Sequence, residues 1–332
     1  MRMNFAVLPK VELHCHLDGS LRTDTVIEIA RKEKIQLPTY DKHQLSRELR
    51  VPENCTSLVE YLNRFNIPIK IMQSNESLRR VAFELMEDAA KEGVKYIEIR
   101  FAPVLHTERG LTIAQVIQNV IEGMRAGEKA FGIYGNIILS CLRHRGPSSA
   151  AMVIEAGKEF LGKGVVAIDL CGAEEEGFAK NFVSEIALAR SYGYRVTIHA
   201  GETGFASNVQ DSITLLGAER IGHGVSSENI REAYELVKEK GILLEMCPTS
   251  NLHTKITKTY EEHPILKYFR DGLKVSFNTD NRTVSATTVT KECSKINEAI
   301  GMTMEEYKKI YLDSVEAAFA SKEIKDELRK LI

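Results

Sequence analysis

The stretch Lys10-Val11-Glu12-Leu13-His14-Cys15-His16-Leu17-Asp18-Gly19 decides between two α/β architectures. Lys10–His16 reads as a strand. An open, doubly wound sheet usually carries a Gly-rich phosphate turn after its first strand. Here the strand runs into His-Cys-His-Leu-Asp-Gly instead. Seven further β-like runs follow, at Val94–Phe101, Gly135–Leu142, Val165–Leu170, Tyr194–His199, Glu219–Gly222, Ile242–Met246 and Leu273–Asn278. They are rich in Val and Ile, and several are apolar on both sides, as strands covered on both faces should be. Amphipathic segments such as Ser184–Tyr192 and Ile230–Lys240 separate them, and Gly93 and Gly241 stand where a helix ends before the next strand. Strand–helix alternation repeated eight times predicts an α/β fold, a (β/α)8 TIM barrel with extra helices inserted after strand 1.

The insertion follows from length. The first crossover, about Leu17 to Gly93, is too long for one helix. Asp24–Lys34 reads as one helix within it. Ser57–Lys70 reads as another, with Leu58, Tyr61, Leu62 and Phe65 at helical spacing. Loops after barrel strands ring the active-site mouth, so residues 17–93 are expected to contain a helical, lid-like insertion. An apolar stripe packed on the barrel is the plainer reading of the same spacing. No linker or low-complexity stretch interrupts the chain, and residues 1–332 are expected to form a single domain.

Composition narrows the function classes. Hydrophobic residues make up 43% and charged residues 27%, which suits a soluble protein with a full core. The net charge of −2 gives no basic field for nucleic acid or an anionic membrane. No apolar run approaches the roughly 20 residues of a membrane span. The N-terminal apolar stretch is too short for a signal peptide. Six cysteines, at 15, 55, 141, 171, 247 and 293, form no C-x-x-C, so a cytoplasmic protein with reduced thiols is expected.

The polar residues at the strand ends carry the chemistry. Of nine histidines, His14, His16, His199 and His223 fall at or just past a predicted strand end, and those ends meet at the catalytic mouth of a barrel. His14 and His16 are two apart on one strand, so both imidazoles face the same side and can share one metal ion. His199 adds a third nitrogen of the kind zinc accepts. Asp280 offers an oxygen ligand, although Thr279-Asp280-Asn281 would also suit a helix N-cap. Glu202 follows His199 after a flexible Ala-Gly step and is placed to shuttle protons beside a metal-activated water. His223, between Gly222 and Gly224, is either a further ligand or a stabiliser of the attacking hydroxide.

Together these residues resemble the adenosine deaminase family. The matching motifs are Val11–Ser20 (VELHCHLDGS), Ile168–Gly172 (IDLCG), His199–Glu202 (HAGE), Ile221–Gly224 (IGHG) and Asn278–Asp280 (NTD), in the family's order. The resemblance implies zinc-dependent hydrolytic deamination of adenosine, and of 2′-deoxyadenosine, to inosine and ammonia in purine salvage, with one Zn2+ per chain. It implies His14, His16, His199 and Asp280 as zinc ligands. Hydroxide attacks purine C6 while Glu202 protonates N1 and His223 orients the hydroxide. His16, Asp18 and Gly172 match substrate contacts, with Asp18 near the ribose and Gly172 near the base. The expected partner is a purine nucleoside; the alternative is adenine or another 6-aminopurine compound.

One position departs from the best-known members, which carry two consecutive Asp residues where this chain has Asp280-Asn281. The second must donate a proton to purine N7, and an Asn amide is a ready donor, so that contact is assigned to Asn281. Strand 4 ends Ile168-Asp169-Leu170-Cys171 with no Lys or Glu before Glu174, which favours one metal over a bridged pair.

Overall fold

The computed structural model describes residues 3–52, 55 and 57–332. Eight strands, β1 (Lys10–His16), β2 (Val94–Phe101), β3 (Tyr134–Leu142), β4 (Val165–Cys171), β5 (Arg195–Ala200), β6 (Arg220–His223), β7 (Leu243–Met246) and β8 (Lys274–Phe277), pair in sequence order, all parallel. Helices cover the outside of this nearly closed barrel. The strands are where the sequence pattern puts them, within a residue or two. The pattern works because the strands are buried on both faces: Ile97, Ile99, Ile137, Ile168 and Ile198 share one core cluster, and the alternate residues Glu98, Arg100, Ile138 and Asp169 are buried on the other face.

The last gap in the barrel is bridged at its mouth. The His16 amide donates to the Asp280 carbonyl at 2.7 Å, and the Asp280 amide donates to the His14 carbonyl at 3.0 Å. Below them the Leu13 amide donates to Asn278 Oδ1 at 2.8 Å. The backbone bonds that join β8 to β1 are therefore made by the residues whose side chains were expected to hold a metal.

Among the described residues the first crossover carries five α-helices: α1 (Thr23–Glu33), α2 (Lys42–Leu49), α3 (Leu58–Leu62), α4 (Asn66–Ile71) and α5 (Asn75–Lys91). Glu53, Asn54 and Thr56 of this insertion lie outside the described residues. The single helix expected over Ser57–Lys70 is broken into α3, a 3-10 turn at Asn63–Phe65, and α4. Pro68 accounts for the break. It has no amide to donate, and its ring collides with the carbonyl four residues earlier, at Arg64. All six cysteines are buried and unpaired. No helix among the described residues is long and apolar enough to cross a membrane.

Candidate active site

The strand ends converge on a cavity of about 300 Å3 at the barrel mouth, a size suited to a small molecule. His16, Asp18, Gly172, His199, Glu202, His223, Asp280 and Asn281 line it, and Leu58, Tyr61, Leu62 and Phe65 of the insertion roof it. His14 lies deeper and fully buried. Every residue singled out from the sequence is thus at or just beneath one cavity.

The imidazoles and Asp280 form a tight cluster. His14 Nε2 and His16 Nε2 stand 3.3 and 3.4 Å from Asp280 Oδ1, and His16 Nε2 stands 3.3 Å from His199 Nε2. Ligands about 2.0–2.1 Å from one tetrahedral ion are separated by roughly these distances. His14 Nε2 is buried without a hydrogen-bond partner, which is costly unless something else meets its lone pair. The outer nitrogens are committed. His14 Nδ1 lies 2.9 Å from Glu245 and His199 Nδ1 3.0 Å from Asp169. A carboxylate behind the imidazole is the usual support of a metal-ligating histidine. The donor set fits a divalent cation such as zinc. His14, His199, His223 and Asp280 also bring one ligand atom each within 4.8 Å of one another, so His16 and His223 compete for the fourth place.

Backbone strain marks two of these residues. His223 and Asp280 have φ of 63° and 58°, in the left-handed region that β-carbon-bearing residues avoid. Gly222 has a steric task. A Cβ there would sit 3.0 Å from His14 Cε1 and 3.2 Å from the His199 Cα, so only a glycine lets β6 approach the His14 ring and the β5 backbone without displacement.

The carboxyls divide by environment. Burial, with the charges of Asp280 and Glu174 nearby, pushes the Glu202 carboxyl well above the usual range. Burial also raises Asp18, to about 7. Burial would raise Asp280 too, but its close contact with His14 and the surrounding imidazoles hold it well below the ordinary value. Burial pushes His223 down, so Glu202 Oε1 and His223 Nε2, 3.7 Å apart, are a neutral acid beside a neutral imidazole rather than an ion pair. Burial thus favours the proton-bearing form of Glu202, and the imidazoles favour the charged form of Asp280, the form a cation needs.

The sequence pattern passed over the residues that position these groups. Glu174 accepts from the backbone amides of Gly201, Glu202 and Thr203 at 2.7, 2.9 and 2.8 Å, pinning the loop that carries Glu202. Ser250 donates to Asp280 Oδ2 at 2.7 Å. Arg143 reaches the carbonyls of Gly172, Leu170 and His199 and ties the ends of β4 and β5 together. Asn281 donates through Nδ2 to Tyr61 Oη at 2.9 Å. A signal existed for Asp169 and Glu245: each is a charged residue within an otherwise apolar strand.

With this geometry in view, the family comparison is direct: the model of a family described as Adenosine deaminase matches residues 9–332. The chain belongs to the adenosine deaminase family. It is similar to an adenosine deaminase of Clostridium perfringens (strain ATCC 13124), 57% identical over 327 residues that cover 98% of each chain. Among solved structures it is similar to an adenine deaminase from Arthrobacter aurescens, at 25% identity and a TM-score of 0.91 over 98% of each chain. It is also similar to a zinc-bound amidohydrolase from Burkholderia ambifaria, at 26% identity and a TM-score of 0.88, covering 99% of this chain and 90% of that one. Family membership makes the protein a metal-dependent hydrolase acting on C–N bonds.

Proposed function

We propose that this adenosine deaminase family member deaminates adenosine and 2′-deoxyadenosine hydrolytically, with one zinc ion held by His14, His16, His199 and Asp280. The observation that carries the reading is Glu202, a carboxyl buried at the edge of a cavity whose floor is a cluster of histidines and Asp280, where burial favours its protonated form. Binding alone has no use for a poised acid there. The cation supplies Lewis acidity that makes a hydroxide available near neutral pH. Glu202 gives its proton to purine N1, which draws electrons from C6 and opens it to attack. His223 holds the attacking oxygen on the correct face. The adduct's C6 hydroxyl proton passes to the amino group, the C6–N bond breaks to release ammonia, the C6 oxygen becomes the carbonyl of inosine, and the proton given up when water became hydroxide restores Glu202. Asp18 lies at the ribose end, Gly172 beside the base, and Asn281 offers an amide N–H to N7. The helical insertion 17–93, within a single 1–332 barrel domain, acts as the lid that keeps bulk water out.

The cavity favours a nucleoside over a nucleotide. No Lys or Arg stands among the described residues that line it, and Leu58, Leu62, Phe65 and Ile69 form its apolar side. A phosphate there would lose its hydration for no charged partner. Adenine is the second reading, favoured by the likeness to an adenine deaminase. Adenosine and adenine turnover, followed by the ultraviolet shift and ammonia release on metal-replete and chelated protein, tests both. Rapid loss of adenosine's amino group by the metal-replete protein alone is expected. Turnover of adenine with adenosine untouched would transfer the function to the free base.

A further inference from the structure

A chain of hydrogen bonds behind His223 has a direction that can be read from one end. The anchor is a backbone amide, which can only donate. Ile265 N–H donates to His263 Nδ1 at 3.3 Å. His263 Nδ1 must then carry a lone pair, so the ring's proton is on Nε2. Burial keeps this imidazole neutral, pushing it down to about 3. His263 Nε2 therefore donates to Asn251 Oδ1 at 3.1 Å. That fixes which end of the Asn251 carboxamide is oxygen. Its Nδ2 must face, and donate to, His223 Nδ1 at 3.1 Å. His223 Nδ1 is thus an acceptor, and its proton sits on Nε2, the nitrogen that faces Glu202 and the cavity. All three side chains are buried, with Asn251 fully so, so water does not reset the order.

The neighbouring rings are wired the other way. His14 and His199 have carboxylates, Glu245 and Asp169, at Nδ1. A carboxylate accepts, so those rings carry their proton on Nδ1 and present a bare Nε2 lone pair. We infer that Asn251 and His263 are positioning residues that lock His223 in its Nε2–H form, making it a hydrogen-bond donor to the attacking oxygen and barring it from the metal. This rests on the deaminase reading for the role of His223, but the tautomer stands on geometry alone. It also takes His223 out of the contest for the fourth ligand place and leaves that place to His16, whose Nε2 stands 3.3 Å from His199 Nε2 and 3.4 Å from Asp280 Oδ1.

The test is 15N NMR of histidine-labelled, zinc-loaded protein, with the His223 signals assigned by His223→Gln. The expected spectrum shows His223 protonated at Nε2. Asn251→Asp is the matching variant, because its carboxylate accepts where the amide donated. The proton is expected to move to Nδ1, with kcat falling about a hundredfold or more and zinc content unchanged. His263→Gln keeps a donor toward Asn251 and is expected to stay within about threefold of wild type, whereas His263→Phe loses about tenfold. A purely structural role would not split that pair. Nδ1–H in the wild type overturns the inference, as does an Asn251→Asp variant that keeps Nε2–H and wild-type kcat. If Asn251→Asp does not fold, the wild-type spectrum and the His263 pair still decide. The spectrum reads the tautomer whatever the substrate, so failure to deaminate adenosine and failure of this inference are separate results.

Discussion

A carboxyl that must arrive at its substrate protonated has to be kept from water, and at Glu202 that requirement sets function against stability. Its pKa is raised in the folded protein, chiefly by burial. Below the unfolded value of about 4.3 both states hold the proton, and the burial costs nothing through ionisation. Above it the unfolded chain releases a proton that the folded chain keeps, so the penalty grows with pH until the folded pKa is passed. Glu202→Gln removes the penalty along with the acid. The expected outcome is a kcat lower by about 10²–10⁴, with a melting temperature at or above wild type at pH 8 and a gap that closes toward about pH 4. In the wild type, kcat/KM should fall as pH rises through the Glu202 pKa, because the deprotonated enzyme has nothing to give N1. A wild-type rate in the Gln variant would remove Glu202 from proton transfer. This residue was legible in the sequence because it follows a strand-end histidine. Glu174, which pins its loop, was not: it lies in a polar loop, and only the fold brings it to three amides of another crossover.

At the scale of elements, the insertion was legible by length and apolar spacing, and its break at Pro68 shows the limit of periodicity. Spacing reports which residues share a face; a proline's missing amide and ring clash are local and override it. The outcome is a short α3 whose Tyr61 points into the barrel. Tyr61 Oη accepts from Asn281 Nδ2 and shares a 2.8 Å hydrogen bond with Ser285 Oγ. The Asn281 amide just past β8, proposed to face the purine, is thereby held by the insertion. Tyr61→Phe is expected to raise KM about fivefold, the worth of one hydrogen bond, and to leave kcat nearly intact. Asn281→Ala should raise KM further without loss of zinc. Because the two groups form one contact, the double variant should resemble Asn281→Ala rather than multiply the two effects. Independent, multiplicative effects would show that Tyr61 does not act through Asn281.

Across the whole molecule, the barrel axis is charged where a barrel of this kind is usually apolar. Glu98, Asp169, Glu245, Arg100 and Arg220 are 0–1% exposed. Arg220 pairs with Glu98 and Glu245, and Arg100 with Glu245 and more distantly with Asp169. With Asp280 above them, the column holds four carboxylates and two guanidiniums. Pattern marks single members of such a column, as a charged residue in an apolar strand, but not the column itself, because the partners lie on other strands. The excess of two negative charges beside the imidazoles is what a divalent cation would neutralise, and uncompensated buried charge is strongly destabilising. Removing the metal should therefore loosen the fold as well as stop turnover. With metal present at about a thousand times its Kd, linkage gives about 4 kcal/mol, on the order of 10 °C in melting temperature. The imidazole ligands must be unprotonated to bind, so protons compete with the metal. The melting-temperature gap between metal-replete and chelated protein should then shrink as pH is lowered from about 8 to about 5.5 and reopen on return. Scanning calorimetry with metal analysis on each sample checks this. A protein shown to be metal-free that melts with the loaded one at pH 8 would mean that the column balances its own charge, and that the cation serves chemistry alone.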